Sequence, residues 1–145
     1  MPTPSRVIGT TEAAIAQAEH EVGHAFPPSF RSWLALNNGK GLDAVTIFPV
    51  LDERDKRKTW DSISRQQKIW QSYCDDTHPA LGFQHLLPFA EFGTGDYYCF
   101  DYSTADEAGE VAVVHWSHET GATTPRASSF ADFAERLQRG DFESD

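Results

Sequence analysis

Two neighbouring apolar segments constrain the fold more than any other feature of this chain: DYYCFDYS at residues 96–103 and EVAVVHWSH at residues 110–118. Both are rich in the β-branched and aromatic residues that are typical of strands. The acidic turn TADEAG joins them, so we expect an antiparallel hairpin. Apolar side chains occupy the successive positions 97–100 and therefore lie on both faces of the first strand. We expect both strands to lie inside a sheet that is covered on both faces.

Two helices are predicted before this hairpin. A helical pattern starts at Thr11 and stops near Gly23. Apolar residues that recur every three or four positions mark its buried face: Ala14, Ile15, Ala18 and Val22. The second helix, PPSFRSWLALNNG, opens with Pro27 and ends at Asn38 and Gly39. Its expected inward residues are Phe30, Trp33 and Leu34.

The middle of the chain carries weaker signals. TIFPV at residues 46–50 predicts a strand, and DERDKRK at 52–58 predicts a charged, solvated loop. A third helix is expected from about Asp61 to Tyr73, followed by a loop over 74–84. The residues predicted to face inward from this helix are Ile63, Trp70 and Tyr73.

Two further elements flank the hairpin. HLLPFAEF at residues 85–92 predicts a short strand near a sheet edge, because Pro88 interrupts it. Ser128 or Ser129 caps a last helix, FADFAERL. The residues expected to face inward from that helix are Phe130, Phe133, Ala134 and Leu137.

The distribution of charge favours one class of partner and disfavours others. The net charge is −10, yet residues 1–70 hold 8 acidic and 9 basic side chains, whereas residues 71–145 hold 14 and 3. Residues 71–125 contain no Lys or Arg. Such a surface repels nucleic acid and anionic lipid and attracts a basic protein. The alternative is that the charge serves solubility alone.

The expected compartment is the cytoplasm. No apolar run approaches the roughly 20 residues that span a bilayer, and the N-terminal segment lacks the apolar core of a signal peptide. In a reducing compartment Cys74 and Cys99 are expected to be two free thiols.

The stretch HEVGH at residues 20–24 matches the short signature of zinc peptidases, in which two histidines four apart bind the metal and the glutamate is the general base. On a helical wheel with Ile15 at zero, His20 lies near about 140° and His24 near about 180°, so both point away from the core. Gly23 indicates that the helix ends inside the motif. No third ligand follows at the spacing of the longer signature. A zinc metallopeptidase is therefore only a remote alternative.

Other polar residues suggest structural roles rather than catalysis. His115 and His118 are expected on opposite faces because their spacing is odd, and a shared metal would need His118 to leave the strand. Asp96 and Asp101 have odd spacing too and make a poor acid–base pair. At the strand entrance Asp96 is expected to accept N–H groups of a turn. We predict no catalytic residue, no metal and no cofactor.

Four segments, in order, resemble the SUKH superfamily. AEHEVGHAFPPSFRSWLALNNGKG at 18–41 is similar to its opening helices, and LLPFAEFGTGDYYCFDYS at 86–103 to its Leu-Pro segment, Gly-Asp turn and core strand. VAVVHWSHE at 111–119 resembles the following strand and SSFADFAERL at 128–137 the closing helix. The positions that carry the resemblance are Gly23, Pro27, Trp33, Leu34, Asn38, Gly39, Pro88, Gly95, Asp96 and Trp116.

The resemblance implies one α+β domain over residues 11–138, with a mixed or mainly antiparallel sheet flanked by helices. Residues 1–10 are then a flexible lead-in and 139–145 a polar tail, while 42–84 match no family motif. The family suggests no shared catalytic triad or cofactor.

The resemblance also implies a role. Most bacterial single-domain members are thought to be immunity proteins that bind and block a cognate toxin, often a nuclease, whereas others are interaction modules in signalling or cell-wall control. A nuclease groove is basic, so an acidic surface could mimic its phosphate substrate. The hypothetical contact residues are Asp75, Asp76, Asp96, Asp101, Asp106, Glu107 and Glu110. The sequence does not predict the toxin or the oligomeric state.

Overall fold

Five antiparallel strands form one sheet in the computed structural model, which describes residues 9–42, 45–77, 84–91 and 94–140; all counts refer to these residues. In spatial and chain order the strands are β1 (Thr46–Ile47), β2 (Leu86–Glu91), β3 (Tyr97–Asp101), β4 (Ala112–Trp116) and β5 (Thr123–Ala127). The helices are α1 (Glu12–Val22), α2 (Pro28–Asn37), α3 (Lys56–Thr59), α4 (Ile63–Thr77) and α5 (Phe130–Gln138). The predicted α+β fold with a mainly antiparallel sheet is confirmed.

Helices α1, α2 and α5 cover one face of the sheet through a large aromatic core. The Phe30 ring of α2 lies 5.8 Å from Phe89 and 5.0 Å from both Phe100 and Phe130, centroid to centroid. Tyr98 joins the same core from β3. Each fully buried Phe contributes about 1.5–3 kcal/mol through removal of apolar surface from water, so this cluster is the main source of stability.

Helix α4 covers the opposite face with a smaller core. Cys99 of β3 packs there with Cys74 and Trp70 of α4 and with Trp116 of β4. The rings of Trp70 and Trp116 meet edge to face at 5.7 Å. Both cysteines are free and buried, as expected, and burial followed by the nearby Asp75 charge raises the pKa of Cys74 to about 12. Both faces of the β3–β4 hairpin are therefore covered by helices, as the sequence predicts.

The first two helices follow the sequence pattern closely. Thr11 caps α1 by accepting the Ala14 N–H at 3.1 Å. Of the residues predicted to be inward, Ile15, Ala18 and Val22 are buried, and Ala14 is only partly buried. Gly23 ends α1 in the left-handed conformation, at φ 79°. Helix α2 begins at Pro28, a position at which the N–H that proline lacks would have no helical acceptor in any case. No helix in the described part of the chain is long and apolar enough to cross a membrane.

The prediction of a loop over residues 52–58 is wrong, whereas the predicted exposure to solvent is confirmed for five of the seven residues. Glu53–Asp55 form a 3₁₀ turn and Lys56–Thr59 form α3. Asp52 is buried, because its carboxylate accepts the Thr10 hydroxyl at 2.7 Å and the Arg54 guanidinium at 2.7 and 3.0 Å. The hydrogen bonds and the ion pair of the Asp52 carboxylate therefore hold the start of this segment in place.

Helix α4 begins and ends later than the sequence predicts, at Ile63 and Thr77. Ile63 and Trp70 are buried as expected, but Tyr73 is exposed. On a wheel Tyr73 lies about 80° from the Ile63 direction, whereas Cys74 lies about 20° from it, so Cys74 takes the inward position. Residues 78–83 of the predicted 74–84 loop lie outside the described residues.

Strand β2 lies near the sheet edge, as predicted from Pro88, because its outer neighbour β1 has only two residues. It lies between β1 and β3, although β1 pairs only Thr46 and Ile47 with Glu91 and Ala90. The first half of β2, which holds Pro88, has no pairing with β1, so the missing proline N–H breaks no ladder bond there. A register shift follows Pro88. Only the first two residues of the predicted strand TIFPV at 46–50 are a strand.

Strand β5 was not predicted from the sequence. Its residues, TTPRA, lack both apolar alternation and a run of β-branched apolar side chains, and Pro125 argues against a strand. Pro125 is tolerated because β5 is an outer strand that pairs on one side only, with β4.

The ends of the chain are described only in part. Residues 1–8 of the predicted flexible lead-in, and 141–145 of the predicted tail, lie outside the described residues. Gly9 and Thr10 are packed, since Thr10 N–H donates to Ala35 O at 3.3 Å and the Thr10 hydroxyl to Asp52.

Candidate partner-binding surface

The seven carboxylates predicted as partner contacts do not form one cluster. Asp96 immediately precedes β3 and Asp101 ends it, so the two lie at opposite ends of a five-residue strand, about 17 Å apart. Three others belong to the connection that follows Asp101: Asp106, Glu107 and Glu110. The remaining two, Asp75 and Asp76, lie in the last turn of α4.

Asp96 is bound by the chain itself. Its Oδ2 lies 2.7 Å from His115 Nε2, its Oδ1 lies 2.6 Å from His118 Nδ1, and Oδ1 also accepts the His118 N–H at 2.9 Å. Arg126 Nη2 lies 3.4 Å from His115 Nδ1. Because a guanidinium can only donate, His115 Nδ1 accepts, and a neutral His115 carries its proton on Nε2 and donates it to Asp96.

The prediction that His115 and His118 lie on opposite faces is wrong, because both side chains contact the Asp96 carboxylate. Strand β4 ends at Trp116, and the turn that starts with the Gly121 N–H donating to Ser117 O carries His118 out of the strand and back to Asp96. Partial burial raises the pKa of Asp96, but the His118 N–H and the two imidazoles outweigh burial and hold it below its ordinary value. Asp96 thus accepts one turn N–H, that of His118, and this turn follows β4 instead of lying at the entrance of β3.

Two carboxylates of the β3–β4 connection are tied to their own backbone. Asp101 Oδ1 accepts the Ser103 N–H at 3.0 Å and its hydroxyl at 2.6 Å. Asp106 Oδ1 accepts the N–H groups of Ala108 and Glu110, both at 2.9 Å. These bonds satisfy the turns, and they leave the second oxygen of each carboxylate for other contacts.

Glu110 caps a helix that is distant in sequence. Its Oε2 accepts the Ser29 N–H at 2.9 Å and its Oε1 accepts the Ser29 hydroxyl at 2.7 Å. The Ser29 N–H belongs to the first turn of α2, which has no internal acceptor, and a carboxylate is favourable there. Glu110 therefore anchors the acidic connection to α2, a role that the sequence analysis did not assign to it.

Asp75, Asp76 and Glu107 are exposed, and within the described residues their carboxylates take part in no hydrogen bond or ion pair. Asp75 and Asp76 lie at the C-terminal end of α4, where the helix dipole disfavours negative charge by about 0.3–1 kcal/mol each. Helix stability does not explain carboxylates in this position. They are the most available members of the predicted set.

The HEVGH stretch is divided by the end of α1. His20 is exposed on the helix, whereas His24 lies beyond Gly23, stacks on Tyr102 at 4.2 Å and lies 3.0 Å from Gln84 O through Nε2. Glu21 accepts the Ser64 hydroxyl at 2.9 Å instead of lying between the histidines. Among the described residues no three His, Cys, Asp or Glu side chains are grouped so that they could hold a metal ion.

The order of helices and strands agrees with the α+β domain that the family resemblance implies. The model of the SMI1 / KNR4 family (SUKH-1) matches residues 9–136. The chain belongs to this family. Membership supports a role in protein binding, either as an immunity protein or as an interaction module. A search of curated proteins found no match.

The SUKH-1 motif positions have identifiable structural roles. The Asn38 side chain donates to Val50 O at 3.0 Å and accepts Val50 N–H at 2.8 Å, which ties the end of α2 to the segment after β1. Pro88 lies where the register of β2 shifts. Three glycines have positive φ: Gly23, Gly39 and Gly95. Five motif positions are buried: Pro27, Leu34, Asn38, Pro88 and Trp116. Trp33, expected in the core, is half-buried and packs at the edge of the core.

The segment without SUKH-1 motifs holds surface residues that the sequence analysis missed. Trp60 is 60% exposed and Ile69 is 46% exposed. The signal that could have identified Trp60 is its setting, KTWDS, since a tryptophan between charged and polar residues has no apolar neighbours in sequence to pack with.

Proposed function

We propose that this SUKH-1 protein is an immunity protein that binds a cognate toxin directly and blocks it. The observation that carries the proposal, together with family membership, is that three exposed carboxylates on two elements have no side-chain partner among the described residues: Asp75 and Asp76 at the end of α4, and Glu107 in the β3–β4 connection. They lie in a segment, 71–125, that has no Lys or Arg. A basic, nuclease-type toxin complements this surface, and long-range attraction speeds its association.

Hydrogen bonds within the protein support a smaller set of proposed contact residues. Asp96 is enclosed by two histidines, and Glu110 is occupied by Ser29, so we assign both to support of the fold. Asp101 and Asp106 keep one oxygen each for a partner. Two free thiols, Cys74 and Cys99, support the proposal of a cytoplasmic location, where thiols stay reduced.

Co-expression with the product of the adjacent gene tests the function. Rescue of growth by the wild-type chain, with a complex of the two purified proteins, is expected. A partner that binds but is not toxic would instead support the second candidate of the family, a regulatory interaction module. Absence of any complex contradicts both.

Charge reversal tests the surface. The variant Asp75→Lys/Asp76→Lys/Glu107→Lys is expected to slow association with the toxin by about tenfold at low salt, and less at high salt. The matched control, Glu12→Lys/Glu53→Lys/Glu135→Lys, changes net charge equally at exposed sites outside residues 71–125. Equal slowing by both variants shows a non-specific charge effect and contradicts the proposed surface.

A further inference from the structure

A groove with a volume of about 360 Å³ opens between α1 and the start of α4, and it includes none of the seven carboxylates discussed above. Its apolar part is formed by Leu51, Trp60 and Ile69, and its cationic part by Arg65 and Lys68. We call these five residues the Trp60 groove.

Trp60 is the most exposed of the four tryptophans. Trp70 and Trp116 are fully buried and Trp33 is half-buried, whereas 60% of the Trp60 surface is in contact with solvent. Ile69 is 46% exposed beside it in the same groove. Exposure of adjoining Trp and Ile side chains to water is unfavourable in the free protein. Exposed apolar side chains that lie together inside a polar rim are typical of interaction sites. Tryptophan and arginine are also the residues most enriched among interface hot spots.

The groove is ordered before a partner arrives. The guanidinium carbon of Arg65 lies 5.8 Å from the centre of the Trp60 ring, a cation–π contact that restrains both side chains. Arg65, Lys68 and Ile69 are spaced three and four residues apart on α4, so they share one helix face. A preformed site loses less conformational entropy when it binds.

The charge around the groove is opposite to that of the rest of the protein. Residues 52–68 hold 6 basic and 4 acidic side chains in a chain of net charge −10. Ion pairs occupy three of these acids, with partner distances of 2.7 Å for Asp52, 3.1 Å for Glu53 and 3.5 Å for Asp61. Within the described residues Arg57, Lys58 and Lys68 have no ion pair.

One carboxylate, Glu21, also lines the groove, but its oxygens are turned to the protein. Oε1 accepts the Ser64 hydroxyl at 2.9 Å, and Oε2 accepts Gln17 Nε2 at 3.3 Å. Within the described residues Lys68 has no ion pair, and Arg65 has one exposed pair, with Asp61 at 3.5 Å. An exposed pair contributes little, so both cations can contact an incoming carboxylate.

We propose that the Trp60 groove docks a segment of a protein partner in which a bulky apolar side chain is flanked by carboxylates. The apolar side chain lies on Trp60 and Ile69, and the carboxylates contact Arg65 and Lys68. The Trp60 groove has the opposite charge to the proposed toxin-binding carboxylates. The proposal for the groove does not depend on the proposed immunity function. A second copy fits poorly, because facing grooves bring like charges together, and the acidic 101–110 connection exposes no large apolar side chain among its described residues.

The test uses the isotope-labelled full chain and a short peptide with Phe-Leu between runs of Glu. We expect this peptide to shift the indole N–H resonance of Trp60 and the amide resonances of Arg65 and Ile69. Lys68→Glu is expected to weaken binding about tenfold, whereas Lys40→Glu, an exposed lysine outside the groove, leaves it unchanged. Trp60→Ala is expected to abolish binding, and Leu36→Ala, which removes another exposed apolar side chain, serves as its control.

Three results overturn the proposal: no shift of Trp60, equal binding of the analogue with Lys in place of Glu, or equal weakening by Lys68→Glu and Lys40→Glu. Titration with phosphatidylserine vesicles and with single-stranded DNA completes the test. If either shifts Trp60 while the Glu peptide does not, the groove recognises phosphate and not an acidic protein segment. If the Trp60→Ala variant does not fold, the comparison of peptide binding by Lys68→Glu and Lys40→Glu tests the proposal on its own.

Discussion

Asp96 and His118 are joined twice, through the backbone N–H of His118 at 2.9 Å and through its ring Nδ1 at 2.6 Å. The pair fastens the start of β3 to the turn that follows β4. Gly95 allows this approach, since a Cβ at that position would lie 3.2 Å from His118 Nδ1. Asp96, which the sequence analysis predicted as a partner contact, therefore has a structural role: it connects β3 to the turn after β4.

Replacement of this carboxylate is expected to have a pH-dependent effect. Because the folded-state pKa of Asp96 is lowered, its charged form stabilises the fold above the ordinary value of 3.8, and this contribution is lost as pH falls through the folded-state pKa. Asp96→Asn is expected to lower the free energy of unfolding by about 1–3 kcal/mol near neutral pH. Urea denaturation from neutral pH to below pH 3.8 measures this. A difference from wild type that does not shrink in acid contradicts it, and Glu119→Gln, an exposed residue, is the control.

Loss of the Glu110 cap should destabilise α2. Glu110→Ala leaves the Ser29 N–H and hydroxyl without their carboxylate, so we expect a loss of about 1–2 kcal/mol in the free energy of unfolding. Thermal and urea unfolding measure it. Glu107→Ala, three residues earlier and fully in solvent, is the matched control and is expected to change stability by less than about 0.5 kcal/mol. Equal effects of the two changes would show that the cap contributes nothing.

A pair of glycine substitutions isolates a close backbone approach. Gly9 and Gly39 both have left-handed φ, at 78° and 90°, so alanine is strained at either position. At Gly9 the new Cβ would also lie 2.0 Å from Ala35 O, whereas nothing lies within 4 Å at Gly39. We expect Gly9→Ala to reduce the free energy of unfolding by at least about 1 kcal/mol more than Gly39→Ala. Similar losses in urea denaturation contradict the packed position of Gly9.

Asp52 is expected to be the most sensitive carboxylate of the segment before α3. The Arg54 guanidinium, opposed by burial and assisted by Thr10, holds the pKa of Asp52 well below its ordinary value. Asp52→Ala removes the acceptor for Thr10 and Arg54 together, with an expected loss of about 2–3 kcal/mol. The exposed neighbour Glu53, which pairs with Lys56, is the control, since Glu53→Ala should lose less than about 1 kcal/mol. Chemical denaturation that ranks the two variants equally contradicts this account.

Elements whose signals lie within one segment were predicted correctly. The buried face of α1 follows from the spacing of Ile15, Ala18 and Val22, and its end from Gly23, because helical periodicity and left-handed glycine are local properties. The β3–β4 hairpin with two covered faces follows in the same way from alternation along each strand.

Elements that depend on neighbours were not predictable. Strand β5 has no apolar pattern, and it is a strand because β4 offers it a free edge. Tyr73 was expected inside because it is aromatic, yet the position of α4 on the sheet favours Cys74. The same holds for the candidate site. The sequence identified the acidic residues, but it did not predict that Glu110 accepts a hydrogen bond from Ser29.

By itself, the sequence determined the fold class, the faces of the principal helices and the acidic character of residues 71–125, since composition and periodicity act within short stretches of chain. Only the tertiary structure decided which carboxylates are bound by the protein and which remain for a partner. It also decided that Trp60 stays in solvent. The physical reason is that hydrogen bonds and burial join residues far apart in sequence, such as Ser29 and Glu110, whose pairing no local pattern records.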